Sequence, residues 1–137
     1  MVRRTVLNRV SIGLFLGDIV VILTVFSLGL IIHGVDIVHR PAHFLATVAP
    51  FALAWMLIGP TTGMYRRSTR TDPRWAVGRT VLAWTTTCML GSIIRHTTLF
   101  RGDSPLIFVV VTIVVGLTVL LPWRLGVVLI AGSQATE

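Results

Sequence analysis

Asp18 is the one charged side chain in an apolar run from Val10 to Ile32. Read as a membrane helix, that run buries Asp18 about 12 Å from its start, a depth at which a carboxylate must be paired or protonated. Candidate partners lie on the third apolar segment. At 100° per residue, Thr80, Trp84, Thr87, Cys88, Gly91 and Arg95 share one face there, and Leu82, Met89 and Ile93 lie opposite. The small and hydroxyl-bearing face should pack inward, leaving the other to lipid. Arg95 is the conspicuous cation, but it falls about 15 Å from Asp18 along the membrane normal, too far for a direct ion pair. Arg79 is closer in depth, and Thr80, Thr87 or Trp84 could hydrogen-bond a neutral Asp18. Two roles stay open for this intramembrane polar set: a proton or cation site, or a carboxyl that glues helices together.

The other reactive residue types point away from catalysis. His33, His39, His43 and His96 gather toward one side, but Pro41 interrupts the His39 to His43 spacing and no cysteine or glutamate joins them, so no metal site is expected. Ser92 and His96 stand one helical turn apart with no orienting acid or oxyanion hole. The chain has no lysine, which excludes Schiff-base cofactors, and its single cysteine, Cys88, excludes an internal disulfide and C-x-x-C chemistry. The expectation is a non-enzyme without a cofactor.

Positioning these residues falls to four long apolar blocks, in a chain of 137 residues that is 54% hydrophobic and 12% charged. The spacing predicts spans at about 10–32, 42–64, 77–99 and 105–130, each able to cross a hydrocarbon core of ~30 Å. The N-terminal run is too long for a signal-peptide core and is read as a retained helix. The second and fourth spans should kink at Pro50, Pro60 and Pro122. Gly13-x-x-x-Gly17 on the first span offers a close helix contact.

Between the second and third spans runs a polar loop, Met64 to Arg79, holding five of the twelve arginines: Arg66, Arg67, Arg70, Arg74 and Arg79. The positive-inside bias puts this loop in the cytoplasm. With Arg3, Arg4, Arg9 and Arg124 it makes nine arginines inside against three outside, so both termini are expected to be cytoplasmic. Trp123 and Arg124 read as interfacial anchors. The net charge of +7 is then explained by topology and anionic lipid headgroups and not by nucleic acid.

Along nearly the whole chain the residues resemble, in order, a prokaryotic domain-of-unknown-function family of small four-helix integral membrane proteins. Leu16-Gly17-Asp18 resembles that family's intramembrane aspartate, His33 the histidine closing its first span, and Ala49-Pro50-Phe51 its second-helix proline motif. Gly91-Ser92-Ile93-Ile94-Arg95 is similar to its glycine-to-arginine motif and Trp123-Arg124 to its closing pair. Leu30 and Ile31 depart from it, standing where members often carry basic residues. The resemblance implies an all-α, four-transmembrane-helix bundle and no activity. The functional expectation is an oligomeric ion or small-solute transporter or channel in the cytoplasmic membrane; the alternative is an accessory or structural subunit of a larger membrane complex.

Overall fold

A computed structural model describes residues 9–100 and 102–134. Arg3 and Arg4, two of the nine arginines expected inside, and Arg101, one of the three expected outside, lie outside the described residues. Among the described residues the fold is all-α, with five helices: α1 Arg9–Ile32, α2 Pro41–Thr61, α3 Arg67–Thr71, α4 Pro73–Arg95 and α5 Leu106–Gln134. Helices α1, α2 and α5 are each long and apolar enough to cross a membrane. They begin and end close to the expected spans, and the helical assignment runs unbroken through Pro50, Pro60 and Pro122.

The third helix corrects the sequence reading. It starts at Pro73 and not near Val77, and ends at Arg95. The Asp72 side chain accepts a hydrogen bond from the Arg74 backbone N–H at 2.9 Å, and Pro73 occupies the first turn, where its missing N–H costs nothing. The supposed loop Met64–Arg79 is therefore largely helical: Arg67 and Arg70 belong to α3, Arg74 and Arg79 to α4.

α4 is the packing centre, lying against both α2 and α5 and in contact with α3, while α1 rests more lightly across α2 and α5. Its inward face is the polar one. Thr80, Trp84, Thr87, Cys88 and Gly91 are buried, whereas Leu82, Met89 and Ile93 are 58%, 59% and 64% exposed, as the helical periodicity predicts. The hydroxyl-bearing face of α4 thus turns into the bundle and its apolar side chains turn outward. The core itself is aromatic. Phe51 packs on Phe26 at 4.8 Å between ring centroids, and Trp55 on Trp84 at 6.1 Å.

Candidate functional site: a buried aspartate and arginine

On α1, Leu14, Asp18, Ile22, Val25 and Phe26 form the buried stripe, so helical spacing alone turns the carboxyl inward. Asp18 is fully buried. The cation it meets is Arg124 of α5, itself 2% exposed, whose NH2 forms an ion pair with Asp18 Oδ2. Depth explains the match. Asp18 lies nine residues, about 14 Å, from the start of α1, and Arg124 lies ten residues, about 15 Å, from the end of the antiparallel α5.

Two more donors complete the carboxylate. Trp123, the residue before Arg124, donates its indole N–H to Asp18 Oδ1 at 3.0 Å. Tyr65 donates its phenol O–H to Oδ2 at 2.7 Å and accepts the Trp55 indole N–H at 3.1 Å. Tyr65 reaches this position because the chain turns sharply after α2. Gly63 takes φ +76°, a left-handed conformation that favours glycine, and the turn brings Met64 and Tyr65 back under the bundle. The Met64 carbonyl faces Arg124 NH1 at 3.5 Å, and the guanidinium lies 5.2 Å from the Tyr65 ring centroid. Burial holds the Tyr65 phenol above its ordinary pKa and the Asp18 carboxylate pushes it further, so Tyr65 remains a proton donor.

Close approach makes room for this centre. A Cβ on Gly17 would come within 2.5 Å of Trp123 Cζ2, whereas one on Gly13 would meet nothing within 4 Å. The glycine pair is thus no single contact motif: Gly17 receives the indole and Gly13 faces outward.

The other residues singled out from the sequence lie elsewhere. Trp84 donates to the Thr112 backbone carbonyl of α5 at 3.2 Å, and the Thr80 and Thr87 hydroxyls are buried without a hydrogen-bond partner. None of the three bonds Asp18. Arg79 turns toward α3, where its NH1 donates to the Gly63 carbonyl, Ser68 Oγ and Thr69 Oγ1 at 3.1, 2.9 and 2.5 Å. Arg95, at the far end of α4, sits over the Phe108 ring at 5.0 Å and is not brought to Asp18, in line with its depth. Arg66, Arg67 and Arg74 are exposed and Arg70 is half-buried. Trp123 and Arg124 are not interfacial anchors, because both turn into the bundle to reach the carboxylate.

The sequence reading missed Tyr65, Trp55 and the true role of Arg124. A signal was present: Asp18 and Arg124 are the only charged residues in the apolar runs of α1 and α5, and they are opposite in sign. The remaining groups offer little reactive chemistry. Ser92 Oγ donates to the Cys88 carbonyl at 2.7 Å, its own preceding turn, and not to His96. His33 bonds the Gly29 carbonyl at 2.7 Å and His39 pairs with Asp36 at 2.6 Å. Among the described residues, no three His, Cys, Asp or Glu side chains gather to hold a metal.

A family model described as "Protein of unknown function (DUF3054)" matches residues 15–127, which contain the whole Asp18 centre. No curated protein and no solved structure matches the chain.

Proposed function

The chain belongs to the DUF3054 family, whose function is unknown, and from that premise we propose that it is a non-catalytic, multi-pass membrane protein acting as an accessory or structural subunit of a membrane assembly. The observation that carries this reading is the saturation of Asp18. Its two oxygens accept from Arg124, Tyr65 and Trp123, and the charge pair is enclosed by α1, α2, α5 and the turn after α2. A carboxylate so enclosed is built to hold helices together, and α1, the most lightly packed long helix, is the one it holds. In this reading α1, α2, α4 and α5 all cross the cytoplasmic membrane, with both termini and the arginines of 66–79 on the cytoplasmic side. The 23 residues of α4 span about 34 Å, enough to cross.

Gentle extraction followed by native mass measurement tests the proposal. A fixed complex with other chains is expected, and a chain recovered only as a monomer would refute it. Orientation is checked by labelling Thr71→Cys and Thr97→Cys, each in a Cys88→Ser background, with a membrane-impermeant maleimide on intact cells; only the second should react.

A second reading, an oligomeric ion or small-solute transporter, draws on an apolar groove of about 600 Å³ between α1 and α5. Thr24, Thr47, Thr112 and His33 supply its few polar positions. This reading predicts a flux in reconstituted vesicles that Asp18→Asn abolishes while assembly persists. Unchanged flux in that variant would eliminate it.

A further inference from the structure

The arginines of α4 take no part in the Asp18 centre. Beside them, along the first turns of α4, lies an open groove of about 560 Å³ lined by Asp72, Arg74, Trp75, Gly78, Arg79 and Leu82. We propose that this groove seats the headgroup of an anionic, hydroxyl-bearing phospholipid, such as phosphatidylglycerol, with its phosphate on Arg74 and Arg79 and its acyl chains along Leu82 and Met89. The inference rests on α4 crossing the bilayer.

Charge supplies the first argument. Among the described residues the only ion pairs are Asp36 with His39 and Asp18 with Arg124, so neither Arg74 nor Arg79 is held in a direct ion pair. Arg79 is already held in place, its NH1 on three oxygens and its guanidinium 4.6 Å from the Trp75 ring centroid. Its Nε and NH2 take no acceptor among the described residues, leaving a pre-positioned donor edge for phosphate oxygens. A Cβ at Gly78 would meet nothing within 4 Å, so the groove floor between the two arginines is open.

Shape identifies the occupant as a lipid. Trp75, Leu82, Met89 and Ile93 fall on one stripe of α4, and all four are more than half exposed. From Arg79 the stripe reaches Leu82 at about 5 Å and Met89 at about 15 Å, the thickness of one leaflet of a ~30 Å hydrocarbon core. The basic groove therefore caps an apolar track of acyl-chain length. An exposed Trp at such a boundary suits the headgroup level.

Asp72 narrows the headgroup. Its Oδ1 accepts the Arg74 N–H, and Oδ2 takes no donor among the described residues. A free acceptor suits a hydroxyl and repels further phosphate charge. Two guanidiniums and one carboxylate leave one net positive charge, matching a headgroup of charge −1.

The test uses the purified full chain, offered equal amounts of phosphatidylglycerol, phosphatidylcholine and phosphatidic acid with identical acyl chains, and reads retained lipid by native mass spectrometry. At roughly fivefold per arginine, phosphatidylglycerol should be retained at least tenfold over phosphatidylcholine. Arg74→Gln, which leaves the bonds of Arg79 intact, should lower that preference about fivefold. Asp72→Asn, which preserves a helix cap, should raise phosphatidic acid relative to phosphatidylglycerol. Equal retention of all three lipids, or a preference indifferent to Arg74→Gln, would overturn the proposal. So would displacement of the lipid by millimolar glycerol phosphate, since free headgroup would then suffice without the apolar track. A nitroxide on Met89→Cys, in a Cys88→Ser background, separates failure of the site from failure of the topology: if α4 crosses, the label is oxygen-accessible and shielded from aqueous nickel whatever lipid binds.

Discussion

Removing the Asp18 carboxylate should be among the most damaging single changes available to this chain, and removing its charged partner as well should recover the part of the loss that comes from the unpaired charge. In Asp18→Ala, Arg124 keeps its charge at 2% exposure with only the Met64 carbonyl still within reach, and the Trp123 and Tyr65 donors lose their acceptor. Breaking a buried ion pair from one side costs about 3–5 kcal/mol. Each stranded neutral donor adds about 1–3 kcal/mol where water cannot reach it, an upper bound because the groups can relax toward one another. Replacing both charges with apolar residues of similar volume, Asp18→Leu with Arg124→Met, removes the uncompensated charge altogether. The double variant should therefore be about 3 kcal/mol more stable than Asp18→Leu alone and fall short of wild type by the cost of the stranded Trp123 and Tyr65 donors. Unfolding titrations in mixed micelles of wild type, Asp18→Leu, Arg124→Met and the double variant form a double-mutant cycle, with an expected coupling of about 3 kcal/mol. The reasoning is refuted if Asp18→Ala costs less than about 1 kcal/mol, or if the two single effects simply add. Either outcome would mean that the pair does not hold α1 to α5.

Three further outcomes follow from the same geometry. Gly17→Val should destabilise the fold by about 1–3 kcal/mol through collision with the Trp123 indole, whereas Gly13→Ala should stay within about 0.5 kcal/mol of wild type in the same titration. Tyr65 is the only tyrosine, so an ultraviolet pH titration reads it alone. Its pKa is raised in the fold, so folded protein should show no tyrosinate band at pH 10, where an exposed phenol is half ionised. The sign is that of a raised pKa: the stability contributed by the neutral phenol is complete below about pH 10 and is lost as pH climbs toward the folded value; a midpoint near 10 in folded protein would contradict the burial. In the link between α1 and α2, Asp36 accepts the His39 and Val38 backbone N–H groups and pairs with the His39 ring, which holds its carboxyl below the ordinary value. A depressed carboxylate orders this turn above about pH 4 and releases it as pH falls through the lower folded pKa, so amide exchange at Val38 and His39 should quicken only on strong acidification.

Much of the architecture was legible because it follows from local periodicity. The apolar runs predict α1, α2 and α5 to within a few residues at most ends, and the 100° repeat separates the buried Thr80, Trp84 and Thr87 from the exposed Leu82, Met89 and Ile93. Arginine density gives residues 64–79 the composition of a loop, but the local Asp72-Pro73 signal sets the start of α4. A capping aspartate followed by proline fixes a helix start by hydrogen bonding and φ, whatever the charge density beyond it.

The buried centre is a different kind of fact. That Asp18 needs a partner follows from its burial in an apolar run, and depth along a helix was enough to dismiss Arg95. Which cation answers it depends on residues 106 positions apart, brought together only when α5 packs antiparallel to α1 and Gly63 folds Tyr65 beneath them. Helical periodicity sets the direction in which each side chain points from its own axis; it says nothing of which other axis lies there. Distance between helices comes from packing, where Gly17 admits the Trp123 ring and so brings Arg124 within reach of the carboxylate.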